Sequence, residues 1–291
     1  QVDEYTEKLI YELNMVKEFM ENKKICTVYI GGGTPTAIPT ENLDRIIKTI
    51  YNLFGRNNIE ELTVEAGRPD TMTSEKLHML KENNIDRISI NPQTMNLKTL
   101  KLIGRKHTDE DIVKTFKLAR KTGFSNINMD IIIGLPGEDI RDVENTLEII
   151  SKLNPESLTV HTLTVKRVSE FRKKISSYSI KDQEIINSML KLTKKYAENM
   201  ELLPYYLYRQ KQMLGNFENI GYSIKGKECI YNMLIMEEKE TIIAVGAGGV
   251  SKIFYPDENR FERVPNVKNL GEYLTRTEEM ADRKRKFIDT I

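Results

Sequence analysis

The sequence predicts an α/β fold in which a parallel sheet curls into part of a barrel. Two observations carry this prediction: short apolar runs alternate with amphipathic helical patterns, and each apolar run ends in glycine or in polar residues. The intervals between the runs are long enough for the crossover connections that parallel strands need. With 291 residues, the chain has room for such a barrel and for a smaller additional unit.

The repeating unit can be followed over most of the chain. Apolar residues recur at helical spacing from Asp3 to Met20 and predict an amphipathic helix with one buried face. Apolar, β-branched runs predict strands at 27–30, 61–66, 87–91, 126–133 and 157–163. Helical patterns follow from Thr40, a candidate N-cap, and at 74–82, 109–121, 141–153 and 182–199. We therefore expect the partial barrel in residues 1–200 and a smaller α+β appendage, covering the barrel mouth, in residues 201–291.

The composition argues against several classes of function. The formal net charge is +1, so broad attraction to nucleic acid is not expected. No apolar run reaches the roughly 18 residues of a membrane span and no basic-then-apolar leader opens the chain, so we expect a cytoplasmic monomer without a membrane partner. The two cysteines, Cys26 and Cys229, are too few for a disulfide framework or a cysteine-ligated cluster, and we expect both to be buried as small apolar residues.

Residues 31–36, with the sequence GGGTPT, follow the first predicted strand. Three glycines allow backbone amides to approach a ligand closely, and Thr34 adds a hydroxyl. The alternative is a tight turn that needs positive φ, and composition alone leaves both open. No Gly-Lys-Ser/Thr follows, which disfavours a nucleoside triphosphate.

A second glycine cluster at 246–249 lacks the third glycine of a dinucleotide-binding fingerprint, because Ser251 holds that position. We therefore expect this cluster to form a wall of the barrel mouth.

Four polar residues lie at or near the ends of successive predicted strands: Glu65, Gln93, Arg105 and Asp130. Loops at the carboxyl ends of barrel strands meet at one face, so these side chains could converge on one ligand. Carboxylates and an amide suit ribose hydroxyls and an ammonium group, while an arginine suits a carboxylate. The alternative, a set of unrelated surface ion pairs, stays open at this point.

The histidines and an aromatic segment also leave their roles open. His161 lies on the last predicted barrel strand, where a structural role is favoured over that of a base. His78 and His107 are expected at the surface, and no spacing suits zinc. Residues 204–212 combine aromatic rings with Arg209 and a lysine, which suits a flat anionic ligand and equally an amphipathic edge strand.

Taken in order, the motifs resemble the radical S-adenosylmethionine family of oxygen-independent coproporphyrinogen III oxidases. From Tyr29 to Arg167 the resemblance rests on YIGGGTPT, LTVEAGRPD, RISINPQTMN, IGRKHT, NINMDIIIGLPGE and SLTVHTLTVKR. Further on, PYYLYRQKQMLGNFENIGY and GKECIYNMLIMEEKETIIAVGAGGVSKI resemble its HemZ-type subgroup. The family implies a partial (β/α)6 barrel of the radical S-adenosylmethionine type, with the cofactor across the carboxyl ends of the strands.

Position within the matching motifs implies which residues contact the ligands. The implied contacts with S-adenosylmethionine are Gly32, Gly33, Thr34, Glu65, Gln93, Arg105 and Asp130, with Thr164 and Ile253 at less distinctive positions. The candidate contacts with the substrate are Lys166, Arg167 and Arg209.

The family also implies the reaction and its partners. A reduced four-iron four-sulfur (4Fe-4S) cluster cleaves S-adenosylmethionine, and the resulting radical takes a hydrogen atom from a propionate of coproporphyrinogen III, which loses carbon dioxide and an electron to leave a vinyl group. The implied partners are this tetrapyrrole and an electron donor such as flavodoxin or ferredoxin. We expect the cluster-binding cysteine motif upstream of Gln1, so this chain alone should not turn over. Relatives of similar fold degrade heme or act as heme-binding chaperones, and both stay alternatives.

Overall fold

The computed structural model describes residues 1–20, 23–163, 180–208 and 218–288, with the backbone alone at 180–182. The helices are α1 Val2–Phe19, α2 Thr40–Phe54, α3 Ser74–Glu82, α4 Leu97–Leu102, α5 Asp109–Thr122, α6 Ile140–Leu153, α7 Ile180–Asn199, α8 Ile230–Glu237, α9 Leu270–Thr275 and α10 Thr277–Ile288. The strands are β1 Thr27–Ile30, β2 Glu61–Glu65, β3 Arg87–Ser89, β4 Ile127–Ile133, β5 Ser157–Thr162, β6 Leu203–Tyr208, β7 Asn219–Ser223, β8 Val250–Tyr255 and β9 Arg260–Pro265. In this part of the chain, no helix has the length and apolar character needed to cross a membrane.

One sheet contains most of the strands, in the order β1-β2-β3-β4-β5-β7-β6. The pairs from β1 to β5 are parallel, whereas β7 pairs antiparallel with β5 and β6 pairs antiparallel with β7. The sheet curls into a half-barrel, which confirms the predicted α/β partial barrel. Because the parallel strands run in one direction, their carboxyl ends and the loops that follow them meet at one edge.

The main core lies between the outer face of the sheet and the helices. Alternate strand residues such as Leu62, Val64 and Val160 are fully buried, and they pack with apolar stripes of helices, for example Leu43 and Ile47 of α2. Full burial of each such side chain contributes roughly 1.5–3 kcal/mol. The remaining strand residues face the inside of the half-barrel, and this inner face is largely polar.

Caps fix where the helices begin after the strand-end loops. Helix α5 begins with a capping box between Thr108 and Asp111, and α6 begins with one between Asp139 and Asp142. Helix α5 ends at Gly123 in the left-handed conformation, with φ 101°. The loop that precedes α5 carries the candidate site residue Arg105, so its cap limits how far that loop can shift.

The predicted elements agree closely with the structure up to residue 199. Strand β1 and helix α3 have the predicted bounds, and the other predicted strands and helices differ at their ends by one or two residues. Thr40 is the first residue of α2 and not its N-cap, because Pro39 holds that position. Boundaries of this kind depend on local hydrogen bonds that periodicity does not resolve.

The C-terminal part of the chain joins the rest in two ways. Strands β6 and β7 extend the barrel sheet beyond β5, although their residues were predicted to belong to the appendage. The hairpin of β8 and β9 and helix α10 instead pack on α1 through a second hydrophobic cluster, formed by Val16, Met20, Ile253, Val264 and Ile288. The domain boundary after residue 200 and the covering of the barrel mouth stay predictions.

Candidate active site

The inner face of the half-barrel brings several of the predicted residues together. Glu65 is the last residue of β2, while Asp130 and His161 lie on the adjacent strands β4 and β5. Gln93, in the loop after β3, forms an isolated parallel bridge with Ile131, next to Asp130. Asp130 therefore lies within its strand and not at the strand end, but the loop carrying Gln93 reaches it.

The glycine loop after β1 presents open backbone. Gly32 and Gly33 are exposed and have φ values of +84° and +64°, which explains why glycine occupies both positions. A Cβ added at either residue would meet no atom within 4 Å. Thr34 is half-buried, and its carbonyl accepts a hydrogen bond from the amide of Ala37 at 2.9 Å. The loop is thus both a tight turn and a surface that a ligand can approach closely.

Glu65 is held in place by two donors from β1 and its loop. The Tyr29 hydroxyl donates to Oε1 of Glu65 at 2.6 Å, and the Gly32 amide donates to Oε2 at 3.2 Å. Burial, together with the neighbouring Glu65 carboxylate, raises the pKa of Tyr29 far above its ordinary value, so the phenol remains a neutral donor. Each carboxylate oxygen keeps capacity for a further donor, such as a ribose hydroxyl.

Gln93 has an unusual backbone conformation, with φ +66° in a residue other than glycine. Its amide donates to the carbonyl of Asp130 at 3.0 Å, and its carbonyl accepts from the amide of Ile132 at 2.9 Å. The next residue, Thr94, donates through its hydroxyl to Glu138 at 2.5 Å and so joins the loops that follow β3 and β4. These bonds hold the strained conformation and fix Gln93 beside Asp130.

Asp130 belongs to a polar network inside the half-barrel. Asn128 donates to Oδ1 of Asp130 at 2.5 Å, and the Thr159 hydroxyl donates to Asn128 at 3.0 Å. Nε2 of His161 lies 3.8 Å from Oδ2 of Asp130. Burial alone would raise the pKa of Asp130, but the adjacent His161 imidazole and the hydrogen bond from the Asn128 amide outweigh it, and the pKa lies below its ordinary value. His161 therefore has a defined carboxylate partner.

Arg105 lies in the loop between α4 and α5, and its side chain is half-buried. Its backbone amide donates to Leu100, but in the described ranges its guanidinium makes no hydrogen bond or ion pair. His107, predicted at the surface, is buried with 5% of its area exposed, because it packs under this loop against the backbone of Pro92. Burial and the charge of Arg105 lower the pKa of His107, against the hydrogen bond with Pro92. Arg105 is thus anchored beside the loop of Gln93 with its charge available.

Of the remaining predicted contacts, the structure describes one, Ile253. Ile253 is fully buried in β8 and packs in the second hydrophobic cluster. Thr164, Lys166, Arg167 and Arg209 lie outside the described residues. Their roles stay predictions.

The residues present fit S-adenosylmethionine but not an iron–sulfur cluster. Open glycine backbone, an oriented carboxylate and an unpaired guanidinium are complementary to its sulfonium nucleoside and amino-acid ends. Across the described ranges, no group of three or more His, Cys, Asp or Glu could hold a metal ion. Cys229 is buried as expected, but its thiol donates to Glu61 at 3.4 Å, and Cys26 is half-buried. Burial raises the pKa of Cys229 to about 11, against the charge of Arg87, so it remains a thiol.

Sequence reasoning missed Tyr29 and Tyr231 as parts of the site. Their rings stack with centroids 4.5 Å apart and an interplanar angle of 21°. Strand periodicity could have indicated Tyr29, because it lies two residues before Gly31 and therefore on the same face of the strand end. Nothing local indicates Tyr231, which reaches β1 from helix α8, far along the chain.

Three comparisons relate the chain to known proteins. The family model of the Radical SAM superfamily matches residues 3–150. The oxygen-independent coproporphyrinogen-III oxidase-like protein HemZ of Bacillus subtilis (strain 168) is 45% identical over 286 residues, which are 97% of this chain and 57% of that protein. Heme chaperone HemW of the same strain is 34% identical over 171 residues, 58% of this chain and 45% of HemW. The chain therefore spans less than two thirds of the length of either relative.

A solved structure supports the fold. Coproporphyrinogen III oxidase HemN from Escherichia coli, which is described as a radical SAM enzyme, has a TM-score of 0.68. The match covers 95% of this chain and 64% of that chain at 18% sequence identity. At this identity the likeness shows a shared fold and nothing about the ligand.

Proposed function

Because the chain belongs to the radical SAM superfamily, we propose that it forms the cofactor-binding half-barrel of an oxygen-independent coproporphyrinogen III oxidase or dehydrogenase. Members of this superfamily use S-adenosylmethionine and a 4Fe-4S cluster. The observation that carries the proposal is the oriented carboxylate of Glu65 beside the open backbone of Gly32 and Gly33. The HemZ relative supports the choice of reaction.

In this proposal each residue of the site has a defined task. Gly32, Gly33 and Thr34 hold the cofactor by backbone and hydroxyl contacts, and Glu65 accepts hydrogen bonds from the ribose hydroxyls. Arg105 pairs with the carboxylate of the methionine end, while Gln93 and Asp130 bind the ammonium group there. When bound, S-adenosylmethionine supplies hydrogen-abstracting radical chemistry. The described residues hold no ligand set for the cluster, so its chemistry depends on ligands outside them.

The proposed substrate is a tetrapyrrole that carries propionate side chains. Each propionate that reacts loses one hydrogen atom, one electron and carbon dioxide to become a vinyl group, and the electron leaves to an external one-electron acceptor. In this proposal the ring of Tyr206, buried near Asp130 and Thr159 on the inner face, forms part of the wall that keeps water from the reacting carbon. Flat aromatic walls also suit a tetrapyrrole.

The test is an anaerobic assay of the full-length protein, reconstituted with its cluster, with coproporphyrinogen III, S-adenosylmethionine, a reduced flavodoxin or ferredoxin as reductant, and its oxidised form as the one-electron acceptor. We expect monovinyl and divinyl products together with 5′-deoxyadenosine. Glu65→Gln should lower kcat/KM for S-adenosylmethionine at least about tenfold, because an oriented charged acceptor is lost. Glu75→Gln, at an exposed position in the first turn of α3, is the matched control and should change it less than about twofold. Absence of vinyl products from cluster-loaded protein would contradict the proposal.

A heme carrier is the second candidate, because a chaperone is among the relatives of the chain. Under the same anaerobic conditions, stoichiometric heme binding without a vinyl product would favour the carrier. An open-chain tetrapyrrole formed from heme would favour heme degradation instead.

A further inference from the structure

Tyr29 touches the proposed cofactor site only through another residue. Its hydroxyl donates to Oε1 of Glu65 at 2.6 Å, while Oε2 of Glu65 accepts the amide of Gly32 at 3.2 Å. Two donors from β1 and its loop therefore determine the rotamer of a carboxylate on β2. A carboxylate held at both oxygens has little freedom to rotate, so its unused acceptor positions point in fixed directions.

The ring of Tyr29 is itself held from two sides. Tyr231 of helix α8 stacks on it at 4.5 Å between centroids. On another side, a Cβ at Gly31 would lie 2.5 Å from the ring and 3.1 Å from the carboxyl carbon of Glu65. Only glycine at position 31 lets the ring, the loop and the carboxylate pack together. Helix α8, in the C-terminal part of the chain, therefore influences the orientation of Glu65 through its contact with Tyr29.

The phenol is suited to be a permanent donor. Its pKa is raised far above the ordinary value, first by burial and then by the adjacent carboxylate. It therefore keeps its proton throughout the working range of pH. A phenol donating to a carboxylate is a charge-assisted hydrogen bond, which is stronger than a bond between neutral groups.

We propose that Tyr29 is a positioning residue, locked by the ring of Tyr231, which holds Glu65 in the orientation that accepts the vicinal hydroxyls of a ribose. This inference rests on the proposed function, in which Glu65 binds the ribose of S-adenosylmethionine. Tyr29 does not contact the ligand. Tyr29 should affect the binding affinity only of ligands that carry a ribose, and only while residue 65 is a glutamate.

The test compares Tyr29→Phe with wild type by equilibrium dialysis against two ribose-bearing probes, S-adenosylmethionine and adenosine. The variant keeps the stacked ring and loses the hydroxyl. We expect both dissociation constants to rise about tenfold, the order expected from loss of one charge-assisted hydrogen bond. Tyr51→Phe is the matched control, because Tyr51 donates to the carbonyl of Asn83 at 2.7 Å, outside the site. Tyr51→Phe should bind both probes with dissociation constants within about twofold of wild type. An unchanged melting temperature of Tyr29→Phe is the check that this variant folds.

A double-variant cycle separates this inference from the proposed function. If Glu65→Gln leaves the affinity for both probes unchanged, the proposed site is wrong and the positioning role falls with it. If Glu65→Gln weakens binding but Tyr29→Phe does not, the proposed site stands and the positioning role is refuted. Adding Tyr29→Phe to Glu65→Gln should cost less than about twofold, and a full further tenfold loss would show that Tyr29 acts independently of Glu65.

A crystal structure of Tyr29→Phe gives a readout that needs no ligand. We expect the Glu65 side chain to leave the position beside the Gly32 amide, because one of its two donors is gone. A carboxylate that keeps its place in the variant would overturn the inference. The Tyr231→Leu variant removes the ring that stacks on Tyr29 and keeps the hydroxyl of Tyr29. It should disorder the Tyr29 side chain and weaken the binding of both probes by less than Tyr29→Phe does.

Discussion

At the scale of single residues, Asp130 shows how the inner face keeps a carboxylate charged. Burial acts to raise its pKa, but the adjacent His161 imidazole and the hydrogen bond from Asn128 reverse the direction. A carboxyl group whose pKa falls on folding stabilises the fold above its ordinary pKa, and this contribution is lost as the pH drops through the lowered value. We expect Asp130→Asn to reduce the free energy of unfolding by about 1 kcal/mol at pH 5. The difference from wild type should shrink below about pH 4, as urea denaturation between pH 5 and pH 3 would measure.

The matched control for Asp130 is Asp257→Asn, at an exposed position with no described partner. Its effect should stay within about 0.5 kcal/mol at every pH. A difference for Asp130→Asn that grows on acidification would mean that folding raises the pKa of Asp130, contrary to the network described.

Residue types at strand ends were predictable, but their partners were not. Glu65 could be singled out because it ends an apolar run, and Asp130 because it interrupts one; charged residues in either place are rare without a reason. The donor to Glu65 could not be identified, because Tyr29 lies 36 positions earlier in the sequence and meets it only once β1 and β2 pair. His107 was wrongly expected at the surface, since local sequence gives no sign that its loop folds over it.

At the scale of elements, the capping box of α5 links helix stability to the position of Arg105. The Thr108 hydroxyl accepts the amide of Asp111 at 3.2 Å, and Asp111 accepts the amide of Thr108 at 2.9 Å. We expect Thr108→Ala to lower the free energy of unfolding by about 1 kcal/mol. The Asp111 amide loses its acceptor, and the bond from the Thr108 amide to the Asp111 carboxylate is no longer held by its reciprocal partner. Thermal or urea denaturation monitored by circular dichroism would measure it.

Thr122→Ala in the same helix is the control for the cap. Its hydroxyl donates back to the carbonyl of Leu118 at 3.0 Å, a bond that contributes little. Thr122 lies inside the helix, where alanine gains helix propensity, so this variant should be neutral or slightly stabilising, whereas Thr108 has the extended N-cap conformation and alanine gains nothing there. Equal stability of the two variants would show that the capping box does not anchor α5.

The positions of helices and strands were predicted correctly where burial of one face produces a periodic pattern of apolar residues. The parallel strands are buried on the outer face and bounded by glycine and polar residues, and their bounds came out within one or two residues. Pairing was harder: β6 and β7 turn antiparallel and join β5, a contact that depends on tertiary packing and not on local pattern. The same holds for α10, whose charge-rich sequence hides a narrow apolar face.

At the scale of the whole molecule, a buried ion pair joins the first helix to the last. Nζ of Lys284 in α10 lies 2.5 Å from Oε1 of Glu12 in α1, and both side chains are fully buried. Helical periodicity alone gave no reason to place Glu12 on the buried face of α1. The reason lies in long-range partners: the Tyr273 hydroxyl, the Gly246 amide and the Asn266 side chain all donate to Glu12. Together they tie the second glycine loop and both ends of the described chain into one network.

Removing the lysine of this pair should destabilise the entire molecule. Burial lowers the pKa of Lys284, and the adjacent Glu12 carboxylate counteracts this effect. We expect Lys284→Met to cost about 3–5 kcal/mol in the free energy of unfolding, because Glu12 is left buried without its counter-charge. The double variant Glu12→Gln with Lys284→Met should recover part of that loss, since an amide costs less to bury than a carboxylate.

The matched control for the buried pair is Arg285→Met, on the same helix. The Arg285 side chain is 40% exposed and lies 3.3 Å from Glu18 of α1. The variant therefore removes a solvated ion pair between the same two helices. Its cost should stay below about 1 kcal/mol, because solvent screens exposed pairs. If Lys284→Met were no more destabilising than Arg285→Met, the network would not be what holds the C-terminal helix against the half-barrel. Urea denaturation of wild type and the three variants, followed by both fluorescence and circular dichroism, measures the difference and shows whether the two parts unfold together.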